Sequence, residues 1–468
     1  MAIPHSDKNE IEHVEAMAAT PSHDEIKPDP DYDFSPDEEK KLVRKIDMFL
    51  LPTIWLMYLL SYMDRTNIGN AKIAGMMDDL RLTSDEYSVS LIVFFVSYVV
   101  FEVPSNLILS RTRPSIFLPT IMFLWGGITC CMAAVHNYHQ LVALRFVVGI
   151  FEAGFAPGIL LILSSWYKKN EQSKRFGVYI SAAVLSGAFG GILAGAITGG
   201  LHGAHGIAGW RWLFIVEGVA TCGWSVVSAF LLLDFPATSR KLSARQRALA
   251  VHRLTSDNAA AATEDEVHLS PMQAIAESVR NWRTWLMVVG YMVIVGSSTL
   301  SYFYPTLVKG LGYTSQMAQY MVVPIYAASF LAVILSSILL DAHPTQRGLA
   351  ISLWLLLSTA CSIAVTSLPH AYTARYALLV LMAAGLWSAN ALALAYASSA
   401  FGACMASREA RGVALALVNA LGNLAQIYGA YLFPAGDEAG GYAMGFGVIS
   451  AMCGVGVGVY AAAHVVVK

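Results

Sequence analysis

From Met48 onward the chain passes repeatedly through apolar stretches long enough to cross a bilayer, about 20 residues each. Nothing constrains its fold more. In hydrocarbon every backbone N–H and C=O must be bonded within the spanning structure, which leaves only helices or a closed barrel. Segments of about 20 residues select helices, because a barrel strand needs only about 9–11. The stretches fall at 48–69, 87–110, 115–135, 140–164, 175–200 and 210–234, then at 284–308, 316–340, 348–368, 373–396, 409–433 and 441–464. Composition agrees, with 56% hydrophobic and 13% charged residues, against about 25% charged in soluble domains. The pattern predicts an all-α polytopic membrane protein of twelve transmembrane helices in two six-helix halves.

Four segments follow: a disordered acidic cytoplasmic tail at 1–47, an N-terminal six-helix bundle at 48–235, a cytoplasmic central loop at 236–283 and a C-terminal six-helix bundle at 284–468. The tail reading rests on 13 Asp or Glu against 6 Lys or Arg, with Pro21, Pro28, Pro30 and Pro36 among them. Such a composition buries too little apolar surface to fold alone. Lys and Arg set the orientation. Twenty of them flank the spans on the side of the N-terminus and central loop, and five (Lys72, Arg81, Arg211, Lys309, Arg375) on the other. Both termini are therefore expected in the cytoplasm, with the plasma membrane as the site. The loop stretch "ARQRALAVHRL" (244–254) has the spacing of a short basic helix on the cytoplasmic face.

Several chemistries find no footing. The six cysteines lie in or beside apolar runs without a Cys-x-x-Cys pair or zinc-type His spacing, so no metal and no cofactor are expected. No Gly-x-Ser-x-Gly, His-Glu-x-x-His or Walker-type loop occurs, so the chain does not read as an enzyme.

The informative residues are charges inside the spans. "YLLSYMDRTNIGNAK" (58–72) places Asp64 and Arg65 about 24 Å along the first helix. "RFVVGIFEAGFAPG" (145–158) places Arg145 and Glu152 about 7 and 18 Å along the fourth, which runs the opposite way. A charge at bilayer depth costs at least about 2.5–3.5 kcal/mol, and intramembrane ionisable groups mark substrate or proton pathways. The bland alternative is an ion-pair network that locks helices together. Arg145 and Glu152 are two turns apart on one face, so the four groups are expected to line one vertical track in the first half. Because Asp64 and Arg65 are adjacent, one of them must turn away. Arg65 and Arg145 are the candidate anion-binding groups, Asp64 and Glu152 the candidate proton sites. The second half has almost no charge at depth, and offers Tyr302, Trp387 and Asn423 as candidate substrate contacts. Glycines 187, 191, 195 and 199 leave one face of the fifth helix bare, which suits close helix packing.

Five motifs in order now become telling: "YMDRTNIGNAK" (62–72), "FEVPSNLIL" (101–109), "GIFEAGFAPG" (149–158), "GWRWLFIVEG" (209–218) and "DFPATSRKLSARQRALAVHRL" (234–254). With the six-plus-six layout they resemble the major facilitator superfamily, and within it the anion:cation symporter family, in its fungal allantoate, nicotinate and vitamin permease branch. The resemblance covers about residues 40–435. It implies proton-coupled symport of small organic anions by alternating access, with anion binding and proton coupling at Asp64, Arg65, Arg145 and Glu152. The chain departs from the superfamily pattern after the second helix, where Asn106 and Ser110 stand in the Gly and Asp places before Arg111, while Asp341 and Arg347 keep the equivalent loop.

The expected function is a secondary active transporter of a small carboxylate, with protons and the lipid bilayer as its other partners, no nucleic acid and a monomeric state. The competing readings are an exporter of an organic acid or secondary metabolite in the same fold, and a nutrient receptor that transports nothing.

Overall fold

The computed structural model describes residues 34–467, apart from 262–268, 342, 369–370, 406, 435–436 and 438–440. It is all-helical, with no strand among the described residues. Twelve helical stretches are long and apolar enough to span a membrane. The first six are α1 (Pro36–Asp79), α2 (Ser84–Glu102), α3 (Pro114–Ala134), α4 (Tyr138–Trp166), α5 (Arg175–Gly200) and α6 (Gly209–Leu231). The second six are α7 (Trp282–Lys309), α8 (Ser315–Leu340), α9 (Arg347–Ser367), α10 (Tyr372–Phe401), α11 (Ala410–Gly429) and α12 (Ala443–Val466). Exposed Phe123, Phe230, Leu331 and Leu353 cover their outer faces, as a lipid-facing surface requires.

The first boundary needs correcting. The acidic stretch assigned to the tail is helical from Pro36, which sits in the first turn behind a Ser35–Glu38 capping box. Acidic residues suit a helix N-terminus, and Leu42, Ile46, Leu50 and Ile54 at four-residue steps supply a buried stripe. The rest of the expected tail, 1–33, lies outside the described residues.

Two spans expected to be continuous are broken. In α4 the helix Tyr138–Glu152 stops and a second, Phe155–Trp166, begins. Pro157 explains the position, because it cannot donate to the carbonyl of Ala153, four residues earlier. In α7 a 3-10 turn, Thr299–Phe303, separates Trp282–Ser298 from Tyr304–Lys309, and Pro305 stands in the equivalent place. Glu152 and Tyr302 sit at these breaks.

The halves meet at the end opposite the central loop. Gly69 of α1 lies so close to α7 that an added Cβ would be 2.5 Å from the Tyr302 carbonyl oxygen. Across α5 and α8, the bare face at Gly191 would put a Cβ 2.7 Å from the Gln319 carbonyl oxygen. Thr198 donates to the Gln319 side chain at 2.9 Å, and Ser88 of α2 donates to the Ala430 carbonyl beyond α11 at 3.0 Å.

At the loop end, the stretch read as a basic helix is one, Ala244–Ala261. Its Arg253 is buried and bonds both oxygens of Glu171 at 2.6 Å and Glu39 at 3.1 Å, while Lys45 of α1 donates to Gln246 at 3.1 Å. This helix therefore packs on the first half. The next one, Pro271–Arg280, packs on the second, where Ser278 donates to the Ala410 carbonyl at 2.8 Å.

Candidate functional site

Gly149 determines how closely α4 approaches α2. A Cβ there would lie 2.5 Å from the Phe94 carbonyl oxygen, so only glycine permits the contact. One turn away, Arg145 is thereby laid over the Phe94 ring, its guanidinium carbon 4.8 Å from the ring centre. Its Nε donates to the Ser90 carbonyl at 3.4 Å, and its Nη2 is buried without a hydrogen-bond partner. Arg145 is 1% exposed and forms no ion pair among the described residues, which makes it a buried cation held mainly by a ring and a carbonyl. Such contacts stabilise a guanidinium by about 0.5–2 kcal/mol and leave its charge uncancelled.

Arg65 has the acid partner that Arg145 lacks. Its Nη2 and Nε donate to Oε1 of Glu152 at 2.7 and 3.2 Å. Ser61, one turn before Arg65 on α1, donates to the same oxygen at 2.6 Å. Glu152 Oε2 remains buried and unbonded. Tyr62, Phe94 and Tyr98 surround the Arg65 guanidinium at 5.0, 5.4 and 5.0 Å. Two guanidiniums against one carboxylate leave the cluster one positive charge in excess, enclosed by aromatic walls. That is a receptor for an anion: low dielectric strengthens the attraction, and the spare donor on Arg145 offers a geometry.

Asp64 corrects the single-track expectation. It turns away from Arg65, and its Oδ2 accepts from Trp125 Nε1 of α3 at 3.1 Å and from Thr221 of α6 at 2.8 Å. Adjacent residues on a helix point about 100° apart, so a site holding Arg65 sends Asp64 to a different wall. Arg65, Arg145 and Glu152 come together; Asp64 sits behind them in the bundle.

The second half contributes Tyr302. Its ring meets Phe95 of α2, with ring centres 5.8 Å apart, and its hydroxyl donates to Gln426 at 3.3 Å; Gln426 in turn donates to Asn423 at 3.1 Å. Tyr302 and Asn423 thus belong to one hydrogen-bonded chain facing the charged half. Trp387 is placed elsewhere, against Tyr326 at 6.2 Å, whose ring covers Gly187 of α5. The side chains of Ser110, Arg111 and Asp341, read as parts of the loop latches, lie outside the described residues.

Sequence reasoning missed Ser61, Trp125, Thr221 and Glu217. Ser61 was findable, since it precedes Arg65 by four residues and shares its face. The partners of Asp64 depend on the packing of α3 and α6, which no local spacing reveals.

The comparisons place this architecture. Residues 54–430 match the model of the Major Facilitator Superfamily. The chain is 36% identical to the MFS transporter prlL of Fungal sp. (strain NRRL 50135), over 88% of this chain and 83% of that one. It is 30% identical to a putative tartrate transporter of Agrobacterium vitis, over 89% of this chain and 94% of the relative. A crystal structure of a bacterial homolog to the human lysosomal transporter Spinster, inward-facing and unoccupied, superposes with a TM-score of 0.68 at 15% identity, covering 90% of this chain and 96% of that one. The twelve-helix fold, the family match and these relatives agree: the chain belongs to the major facilitator superfamily and is a multi-pass membrane transporter, not an enzyme.

Proposed function

We propose that the protein is a proton-coupled symporter of a small organic anion, a carboxylate, of the anion:cation symporter type. The observation that carries this reading is the buried Arg145 guanidinium with its unbonded Nη2, beside an Arg65 already bonded to Glu152. An incoming carboxylate takes the free donor of Arg145 and competes with Glu152 for Arg65. Charge-assisted guanidinium–carboxylate bonds are among the strongest available. Glu152, displaced from Arg65 in a site closed to water, loses its counter-charge and takes up a proton. The loaded site then carries substrate and proton together. Tyr302, at the break in α7, and Asn423 behind it shape the far wall; interrupted helices at such positions are where transporters of this kind hold their cargo. Trp387 enters the site when the halves rock.

In this reading the central-loop end faces the cytoplasm, the protein works as a monomer in the plasma membrane, and contacts at Gly69, Gly191 and Ser88 belong to a state closed to the outside. The names of the Agrobacterium vitis relatives make tartrate the first anion to try. Two experiments test the proposal. Purified protein is melted against mono- and dicarboxylates, tartrate included; a ligand at 100 times its Kd stabilises by about 2.7 kcal/mol if it binds only the folded state. The stabilising acid is then offered to proteoliposomes. Uptake driven uphill by an inward proton gradient is expected; binding without transport, or uptake indifferent to the gradient, refutes the symport.

A further inference from the structure

The basic loop helix Ala244–Ala261 turns its apolar side chains into protein. Leu249, Ala250 and Arg253 are buried, and none of its described large apolar side chains is exposed. Helix Pro271–Arg280 has the opposite character, because its neighbours cover only one of three faces. At about 100° per residue, Ala274 and Ser278 share a face; both are buried, and Ser278 donates to the Ala410 carbonyl at the start of α11. Gln273, Glu277 and Arg280 form a polar face. Met272, Ile275, Ala276 and Val279 form the third, and all four are exposed, Met272 at 76%. A stripe of large apolar side chains left outward marks a surface that something apolar covers.

The stripe runs on into α7. Trp282, Trp285 and Val289 repeat the three- and four-residue steps and are exposed as well. The Trp285 indole donates to the Val279 carbonyl at 2.8 Å, which ties the end of the stripe to the first turn of the span. The span begins at Trp282, so Asn281 alone separates it from the loop helix. Two guanidiniums flank this corner. That of Arg283 lies over the Trp282 ring at 5.7 Å with its Nε buried and unbonded, and Arg280 is exposed on the last turn of the loop helix. Neither forms an ion pair among the described residues, nor does Glu277, the single acid of that helix.

We infer that helix Pro271–Arg280 is a docking surface for the lipid leaflet at the central-loop end. Met272, Ile275 and Val279 lie among acyl chains, and Arg280 and Arg283 meet the phosphates of anionic phospholipid. Continuity decides for lipid over a protein partner. The outward stripe is one surface with the exposed side of α7, and its two tryptophans stand where an amphipathic ring meets the boundary between hydrocarbon and water. Interfacial helices combine such a stripe with basic side chains, and each arginine adds attraction to a negative leaflet. The planar fork of a guanidinium also matches the oxygens of a phosphate. The two loop helices thus differ in kind: ion pairs seat one on the first half, and the other joins the second half to its membrane.

The test needs no substrate and stands whichever solute is carried. The full chain is placed in vesicles of phosphatidylcholine, with or without phosphatidylglycerol, each lipid in turn bearing a photoreactive acyl chain. Labelled peptides are mapped by mass spectrometry, with exposed Leu353 of α9 as the lipid-facing reference. Label is expected on the peptide 272–279 and not on Ala244–Ala261. Phosphatidylglycerol is expected to label that peptide several-fold more strongly than phosphatidylcholine. This preference should be lost in the double variant Arg280→Gln, Arg283→Gln and, for the unaltered protein, in high salt. The salt arm decides should the double variant fail to fold. No label above that on Ala244–Ala261 overturns the proposal and leaves the face to a protein partner. Label without a preference for phosphatidylglycerol, or a preference that neither salt nor the double variant moves, overturns the assignment of the two arginines to headgroups.

Discussion

Replacing Glu152 by Gln removes one charge and very little shape. The carboxylate takes three hydrogen bonds on Oε1, from Ser61 and from two nitrogens of Arg65, and none on Oε2. A Gln side chain can keep its carbonyl in the Oε1 place and lay its amide nitrogen where the unbonded oxygen was. Charge-assisted bonds are worth about 1.5–3 kcal/mol and are roughly twice as strong as neutral ones. Two Arg65 bonds weakened by half therefore release that guanidinium by about 1.5–3 kcal/mol, available to a competing anion. At tenfold per 1.4 kcal/mol, Glu152→Gln should bind the anion on the order of ten- to a hundredfold more tightly near neutral pH. Isothermal titration in nanodiscs measures both affinities. Equal or weaker binding by Glu152→Gln than by the unaltered protein would refute the competition on which the coupling argument stands. In vesicles the same variant should exchange labelled for unlabelled anion yet fail to concentrate it from a proton gradient.

Three further outcomes are expected. Arg145→Lys keeps a positive charge but loses the planar fork, and should cut transport severely while the protein still reaches the membrane; near-normal uptake would remove Arg145 from the site. Gly149→Ala must push α4 off the Phe94 carbonyl, so it should lower the melting temperature and weaken anion binding together, and a neutral result would contradict the packing at that contact. Arg253→Gln breaks the bonds to Glu171 and Glu39 and should cost on the order of 2 kcal/mol in thermal stability without altering anion affinity, which a titration beside the melt will check.

Much of the architecture was readable because hydrocarbon enforces one period and one length. All twelve spans appear near their expected positions, and the charges at depth pointed to α1 and α4 before any packing was known. What escaped reading has local causes. Pro157 and Pro305 lie in apolar runs, so their effect on α4 and α7 is invisible to a hydropathy count. The helix before Met48 was hidden by its charge, although its four-residue apolar stripe was present. Glu217 lies within "GWRWLFIVEG", whose spacing says nothing of what surrounds the side chain; that neither carboxyl oxygen is bonded becomes apparent only when the helices are assembled.

The two loop helices have a consequence for how the chain can be divided. Ala244–Ala261 is bolted to the first half through Arg253 and Lys45, and Pro271–Arg280 to the second through Ser278. A connector that looks some fifty residues long in sequence, 236–283, therefore belongs mostly to its neighbours. Severed between these helices, the polypeptide is expected to reassemble from two separately made fragments, each ending with its own helix seated. Severed at 235 or at 283, it would strip one fragment of a helix that it folds against.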